Sequence, residues 1–385
     1  MRHVLLTGAT GLLGRYLMRD LLTAGVPMAV LVRPSRRHDP HRRVEAAMRA
    51  WENILGRKLP RPVVLAGDIT QPDFGITPGE AEWVAQNCDR IIHNAASLSF
   101  VTTGRNAEPW KTNLDGTRHV LEFCKNAGIR NFFQVSTAYI AGLREGVVYE
   151  SELDEGQALA NCYEESKVES EKLVRACQDL DTLTVFRPGI IIGDSESKIT
   201  FTFHNFYAAM QLSQTLVSQM STFNFSGRAP SNDIIFNIDG HERKYLVPVD
   251  WVSKAMAEIV IDSKLHGKTY HLTPRIPVTM RLIRDVLEEA IDIYGTGFTG
   301  AGSQESKNTE LEEIFFEQFK VYESYWRDDA TFDSTNTQQA LPNLPCPHVD
   351  RSMMLALARW AIEKRFAWRD PVVESADLSP EGVGV

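Results

Sequence analysis

The sequence predicts an α/β fold in which a doubly wound parallel sheet is followed by a smaller, mainly helical C-terminal subdomain. Short apolar runs, first at residues 4–6 and again at 28–32, alternate with segments whose apolar residues recur at helical spacing. Parallel strands must be joined by crossovers, which are usually helices, so this alternation is typical of a parallel sheet. A glycine-rich turn joins the first strand to the first helix, and sheets of this class bind ligands at that point.

The pattern also predicts where the two parts of the chain lie. Residues 1–195, with segments at about 245–275 that return to the main sheet, form the predicted nucleotide-binding domain. Residues 196–244 and 276–373 form the predicted substrate-binding subdomain, and residues 374–385 a mobile tail.

Two segments of the subdomain have unusual composition. Residues 199–227 contain no Asp, Glu, Lys or Arg but many aromatic and aliphatic side chains. This favours a packed helix or, alternatively, the wall of an apolar substrate cleft. Residues 304–329 are acidic and aromatic, which favours an amphipathic helix with one solvated face over an interaction surface.

Charge and composition exclude several classes of protein. The net charge of -9 argues against nucleic-acid binding, which needs a basic excess. No run of 18 apolar residues occurs and the first strand starts at the N-terminus, so we expect a cytoplasmic protein without stable membrane insertion. The five cysteines form no C-x-x-C pair and the histidines no H-E-x-x-H pattern, so we predict no metal site.

The glycine-rich turn is the strongest local signal. Its first glycine permits a tight turn, the second lets the main chain approach a pyrophosphate, and the third lets the helix pack closely on the strand. Free N–H groups at the helix N-terminus then face the phosphates. The residues of this turn that we expect at a dinucleotide of the Rossmann type are Gly8, Thr10, Gly11, Leu12, Leu13 and Gly14.

The residue after the second strand predicts which dinucleotide is bound. Arg33 stands 19 positions beyond Gly14, where an NAD-selective site usually has Asp or Glu. A guanidinium group suits a 2′-phosphate, so Arg33, with Arg43 as a second candidate, predicts NADP(H). The alternative is a solvated basic loop, since Arg36 and Arg37 lie nearby.

Further cofactor contacts are expected at the ends of later strands and beyond them. Asp68 suits a hydrogen bond to the adenine edge, with a helix N-cap as the alternative. Asn113 either fixes backbone or bridges waters behind the nicotinamide, or it packs in the core. The expected contacts beyond the second strand are Asp68, Ile69, Asn94, Ala95, Ala96, Asn113, Tyr163, Lys167, Pro188, Gly189 and Ile190.

A tyrosine and a lysine indicate the chemistry. Tyr163 and Lys167 are four positions apart and therefore share one helix face, and they follow a predicted strand that ends in Ser136 and Thr137. A phenol can protonate a carbonyl oxygen as hydride reaches the carbon, and a hydroxyl group can hold that oxygen. Free tyrosine has a pKa of about 10. We therefore expect the ammonium group of Lys167 to lower the pKa of Tyr163 and to hold the nicotinamide ribose.

Five segments resemble a known family. They are TGATGLLG (7–14), GDITQPDFGI (67–76), VSTAYIAG (135–142), YEESKVESEKLV (163–174) and FRPGIIIGDS (186–195). Over about residues 1–275 the chain is similar to extended short-chain dehydrogenase/reductases, and most to the thioester reductase and fatty acyl reductase branch, the male-sterility type. The resemblance implies Thr137 as the catalytic hydroxyl, beside Tyr163 and Lys167, because the family's hydroxyl lies five residues before the glycine that is here Gly142.

The resemblance implies an activity as well. Enzymes of this branch reduce an acyl thioester, on coenzyme A or a carrier protein, to an aldehyde and sometimes to an alcohol. We therefore expect an NADPH-dependent reductase, with NADH less favoured, that acts on a small-molecule or carrier-bound apolar acyl substrate as a free-standing monomer or homodimer.

Two other functions stay open. One is an extended-family reaction on a ketone, alcohol or nucleotide sugar, although an epimerase favours an acidic residue where this chain has Arg33. The other is a non-catalytic NADP-sensing regulator, against which the intact Tyr163 and Lys167 argue.

Overall fold

A computed structural model gives the conformation of most of the chain. The described residues are 2–35, 38–203, 206–220, 234–292, 294, 296–298, 300, 316–317 and 320–366. The predicted tail at 374–385 lies outside them, as do residues 221–227 and 304–315 of the two unusual segments and the pair Arg36 and Arg37.

Seven parallel strands form the central sheet, in the order β3-β2-β1-β4-β5-β7-β12. The strands are β1 (His3–Thr7), β2 (Met28–Val32), β3 (Val63–Ala66), β4 (Cys88–His93), β5 (Asn131–Val135), β6 (Val147–Val148), β7 (Thr182–Pro188), β8 (Ile190–Ile192), β9 (Ile234–Phe236), β10 (Arg243–Lys244), β11 (Leu246–Pro248), β12 (Thr269–Leu272), β13 (Val278–Thr279), β14 (Thr296–Phe298) and β15 (Thr331–Phe332). The strand order reverses direction between β1 and β4, which is where ligands bind in open α/β sheets. The predicted fold class is confirmed.

Helices cover both faces of this sheet. They are α1 (Leu12–Thr23), α2 (Pro40–Leu55), α3 (Pro78–Asn87), α4 (Gly116–Ala127), α5 (Cys162–Arg175), α6 (Phe206–Met220), α7 (Val249–Ile261) and α8 (Met280–Ile291), followed by helices at Thr335–Ala340 and Arg351–Glu363. Val4 and Leu6 of β1 pack in one apolar cluster with α1, α2 and α7, and Leu5 packs in a second with α3 and α4. Successive strand residues point to opposite faces, so an apolar run with both faces buried makes a doubly covered sheet.

A third apolar cluster belongs to the C-terminal part of the chain. Phe206, Tyr207 and Met210 of α6 pack there with α8 and with helix Arg351–Glu363. Of the segments expected to return to the main sheet, residues 269–272 form β12, whereas 246–248 form β11 and pair with β8 in a separate two-stranded sheet.

No helix in the described part of the chain is both long and apolar enough to cross a bilayer. Within the same residues, no group of three or more His, Cys, Asp or Glu side chains is arranged to hold a metal ion.

Candidate active site

A cavity of about 730 Å³ lies along the carboxyl ends of the central strands and extends to residues of α6, α8 and the segment 325–326. The predicted site residues that line it are Gly8, Thr10, Gly11, Leu12, Leu13, Arg33, Arg43, Asp68, Ile69, Asn94, Ala95, Ala96, Thr137, Tyr163, Lys167, Pro188, Gly189 and Ile190. Gly14 and Asn113 are not among the lining residues. The cavity therefore brings together side chains from the glycine turn, the strand ends and α5.

The glycine turn leaves no space for side chains at two of its positions. Gly8 has a φ of +71°, and a Cβ atom there would lie 2.8 Å from the backbone nitrogen of Ala95. A Cβ atom on Gly14 would lie 2.1 Å from the carbonyl oxygen of Gly8. Gly14 thus permits close packing of α1 under the turn and does not itself face the cavity, which corrects its expected place among the cofactor contacts.

Polar side chains hold this turn against the end of β4. The amide nitrogen Nδ2 of Asn94 donates to the carbonyl oxygen of Gly8 at 3.1 Å. The hydroxyl oxygen of Thr7 accepts from the backbone N–H groups of Asn94 and Ala95, each at 3.1 Å. Burial, together with the charge of Lys167, lowers the pKa of His93 to about 3, so the imidazole that contacts Thr7 is neutral.

Asn113 supports the wall of the cavity from behind. Its side-chain oxygen accepts from the backbone N–H of Ser97 at 2.7 Å. Its Nδ2 donates to the carbonyl oxygen of Ser97 at 3.0 Å and to the hydroxyl oxygen of Ser166 at 2.9 Å. Because these partners engage both ends of the buried amide, Asn113 fixes the backbone of the loop after β4 against α5, which is one of the roles expected for it. Its place among the cofactor contacts stays a prediction.

Two arginines meet where the loop after β2 and helix α2 border the cavity. Nη1 of Arg43 donates to the carbonyl oxygen of Arg33 at 2.8 Å, and Nη2 donates to the hydroxyl of Thr10 at 2.7 Å. Burial and the charge of Arg33 both lower the pKa of Arg43. Among the described residues neither guanidinium forms an ion pair with a carboxylate, so this corner suits an anion.

Asp68 takes part in a local turn beyond β3. One of its carboxylate oxygens accepts from the backbone N–H of Thr70 at 2.9 Å, an interaction within the loop and not a helix N-cap. Asp68 still lines the cavity, next to the buried side chain of Ile69.

Lys167 lies buried under the middle of the cavity. Its Nζ donates to the carbonyl oxygen of Val135 at the end of β5, at 2.7 Å. Burial lowers the pKa of Lys167 to about 8, although the carboxylate of Glu171 opposes the change. The side chain is therefore fixed to the sheet and stays mostly charged at neutral pH.

Tyr163 has a raised pKa, and not the lowered one that the sequence suggested. Burial is the main cause, the nearby carboxylate of Glu164 adds to the rise, and hydrogen bonding with the side chain of Thr137 opposes it. The expected lowering by Lys167 is not found in the folded chain. The phenol consequently keeps its proton at neutral pH, as a proton donor must.

The sequence indicated only part of the far end of the cavity. This end is lined by the apolar residues Phe206, Leu246, Met280, Ile283 and Leu287. Phe206 lies in the segment 199–227, for which the wall of an apolar cleft was one of two interpretations, whereas the residues of β11 and α8 were not expected there. The residues Lys244, Tyr325 and Trp326 also line the cavity. Residues 325 and 326 belong to the acidic and aromatic segment for which an amphipathic helix was expected, and nothing in their spacing indicates that they reach the site.

Comparisons with known proteins agree with this geometry. A linear gramicidin synthase of Brevibacillus parabrevis is 27% identical over 275 residues, which are 70% of this chain and 5% of that protein. The isonitrile lipopeptide synthase of Mycobacterium tuberculosis is 28% identical over 303 residues, 71% of this chain and 11% of that protein. The chain thus matches only a small part of these relatives' length.

A solved structure is similar over nearly the whole chain. The terminal R domain from the myxalamid PKS-NRPS biosynthetic pathway has a TM-score of 0.72 and 27% sequence identity, and the match covers 94% of this chain and 91% of that one.

The fold and the matches define an NAD(P)-dependent oxidoreductase of the extended short-chain dehydrogenase/reductase type. The family model described as male sterility protein matches residues 6–256. The chain belongs to this family, and within the extended type to its thioester reductase branch.

Proposed function

We propose that this chain is an NADPH-dependent reductase that converts an acyl thioester to an aldehyde, with Tyr163 as the proton donor. The observation that carries the proposal is that Thr137, Tyr163 and Lys167 line one cavity. That cavity has arginines at one end and an apolar wall at the other. Its relatives include peptide synthases and a terminal R domain, which supports a carrier-bound thioester as substrate.

The residues present fit a dinucleotide. Gly8 and Gly11 line the cavity and carry no side chain, so main chain alone can face a pyrophosphate there. Arg33 and Arg43 lie without a carboxylate partner among the described residues, which favours a cofactor with a 2′-phosphate. Bound NADPH would supply the hydride.

The chain's own residues would control the charge on the substrate oxygen. As hydride adds to the carbonyl carbon, the carbonyl electron pair moves to the oxygen. Hydrogen bonds from Thr137 and Tyr163 stabilise the negative charge on this oxygen. Tyr163 then gives its proton to this oxygen, which leaves a hemithioacetal. When the carbon–sulfur bond breaks, the hydroxyl loses its proton, the sulfur takes one, and the products are an aldehyde and a free thiol.

Lys167 would act beside the phenol in this cycle. Its ammonium group, held by the carbonyl of Val135, offers positive charge close to the phenolate that remains after proton transfer. Its remaining N–H groups suit the hydroxyls of a ribose.

The test is a substrate panel with the purified protein. NADPH oxidation is followed by absorbance with octanoyl-CoA, octanal, an aliphatic ketone and a nucleotide sugar, and free thiol is measured in parallel. We expect oxidation of NADPH with octanoyl-CoA, with one thiol released for each aldehyde formed. Turnover with the ketone or the nucleotide sugar, but not with the thioester, would overturn the proposal.

A further inference from the structure

A segment from the C-terminal part of the chain crosses the cavity near the proton donor. Residues 320–332, here named the strap, begin with the 3-10 helix Lys320–Tyr325 and end in β15. Asp329 accepts from the hydroxyl of Tyr139 and from Nζ of Lys244, each at 2.6 Å. These anchors are buried, so the strap is fixed on the nucleotide-binding part of the chain and on β10.

Tyr325 connects the strap to the first turn of α5. Nδ2 of Asn161 donates to its hydroxyl oxygen at 3.1 Å. The side-chain oxygen of the same Asn161 accepts from the backbone N–H of Glu164 at 3.0 Å and so caps α5. The hydroxyl of Tyr325 also faces the carboxylate of Glu164. Burial, with this carboxylate as the second cause, raises the pKa of the Tyr325 phenol. A hydroxyl group that accepts from Asn161 has its own proton free for that carboxylate.

The side chain of Glu164 is itself held by the backbone just before α5. Its Oε2 accepts from the backbone N–H of Ala160 at 2.9 Å, and the side chain is 2% exposed. Asn161, Glu164 and Tyr325 therefore form a small, partly buried network. The residue between Asn161 and Glu164 that faces the cavity is Tyr163.

Contacts between aromatic rings also connect Tyr325 with Tyr163. The ring of Phe100 lies 5.4 Å from that of Tyr325 and 5.9 Å from that of Tyr163, measured between centroids. Tyr139, which anchors the strap through Asp329, lies 5.6 Å from Tyr325. A change at Tyr325 therefore reaches Tyr163 both through the helix cap and through packing.

We propose that Tyr325 is a positioning residue for the proton donor: through Asn161 and Glu164 it fixes the first turn of α5, and with it Tyr163. This inference rests on the proposed function, because Tyr163 is the donor only if the chain is a reductase. The role differs from the solvated helix face expected for this segment, and it makes the strap a part of the active site.

The charge state of Glu164 provides a reporter of the network. Burial raises the pKa of Glu164 to about 7, and Asp329 adds to the rise. The backbone N–H of Ala160, the hydroxyl of Tyr325 and the charge of Arg327 oppose it. The phenol of Tyr163 also faces this carboxylate. Removal of the Tyr325 hydroxyl removes a hydrogen-bond donor that stabilises the carboxylate form of Glu164. The pKa of Glu164 should therefore rise further.

The test follows the Tyr163 phenol by NMR. Protein labelled with ¹³C at tyrosine Cζ is titrated from about pH 5 to about pH 9, a range that spans the pKa of Glu164, and the Tyr163 signal is assigned by its loss in Tyr163→Phe. We expect an inflection near pH 7 from the nearby carboxylate. In Tyr325→Phe, which keeps the ring, this inflection moves to higher pH by about half a unit or more, and in Glu164→Gln it disappears.

The matched control is Tyr294→Phe, which changes a tyrosine that is 54% exposed and should leave the titration unaltered. An inflection that is absent in the parent protein, or unmoved in Tyr325→Phe, overturns the inference. NADPH oxidation with octanoyl-CoA is measured on the same samples. We expect kcat of Tyr325→Phe to fall about tenfold with KM little changed. Inactivity of the parent protein would overturn the proposed function, while the titration would still decide the role of Tyr325.

Discussion

At the scale of single residues, the proton on Tyr163 is the feature with the most direct consequence. Tyr163→Phe keeps the ring and its packing but removes the proton, so we expect kcat with octanoyl-CoA to fall by about 10² to 10⁴. NADPH affinity, measured by quenching of protein fluorescence, should change less than about twofold because the hydroxyl adds little to cofactor binding. Turnover within about threefold of the parent would show that another group supplies the proton.

The guanidinium groups of Arg33 and Arg43 lead to a separate prediction about the cofactor. Arg33→Ala and Arg43→Ala each remove a charge-assisted hydrogen bond to a 2′-phosphate, so NADPH affinity should fall about 10- to 100-fold. NADH affinity should change far less, because that cofactor has no such phosphate. Fluorescence titration with both cofactors measures the ratio.

Arg42→Ala is the matched control for these two changes, since Arg42 lies on α2 next to Arg43 but is exposed and outside the cavity. Equal losses of NADPH and NADH affinity in Arg33→Ala and Arg43→Ala would mean that the arginines support the fold and do not select the cofactor.

At the scale of secondary-structure elements, α5 is joined to β7 by an ion pair with no solvent exposure. Nη2 of Arg187 contacts Oε1 of Glu171 at 2.6 Å, and both side chains are 0% exposed. Arg187→Met leaves the carboxylate buried with the partly exposed Arg175 as its remaining partner. We expect a loss of about 3 kcal/mol in the free energy of unfolding, measured in urea.

Two further variants separate the ion pair from general packing. Adding Glu171→Gln to Arg187→Met removes the buried charge and should restore part of the lost stability. Arg49→Met breaks an exposed pair with Glu45 and should cost less than about 1 kcal/mol. Equal losses from the buried and the exposed pair would contradict this account of how α5 is held.

Local sequence signals were sufficient to predict two parts of the site, the glycine-rich turn and the tyrosine and lysine of α5. Gly8 must be glycine because its φ is positive and because the backbone that follows the neighbouring strand β4 lies against it. The first reason is local to the turn, so the turn was visible in the sequence. Tyr163 and Lys167 share a helix face by spacing alone. The pKa of Tyr163 was predicted with the wrong sign, because it depends mainly on burial, which spacing does not show.

At the scale of the whole molecule, the cavity exists because distant segments meet. The parallel sheet follows from the alternation of strands and helices, so the part of the site at the carboxyl ends of its strands was accessible to sequence analysis. Lys244 and Tyr325 were missed because they reach the cavity only through contacts between segments far apart in the chain, such as the pairing of Asp329 with Tyr139. No periodicity in the sequence encodes such contacts.

The contact between these distant segments leads to the prediction that α8 limits the length of the acyl chain of the substrate. Met280, Ile283 and Leu287 lie three and four positions apart, so one face of this helix forms part of the far wall. Ile283→Trp adds volume at that wall and should raise KM for octanoyl-CoA about tenfold or more by excluding the end of the chain, while KM for butyryl-CoA stays nearly the same. Glu258→Trp, at an exposed position of α7, should change neither value. If Ile283→Trp raises KM equally for both thioesters, the acyl chain does not extend toward α8 and the substrate must lie elsewhere in the cavity.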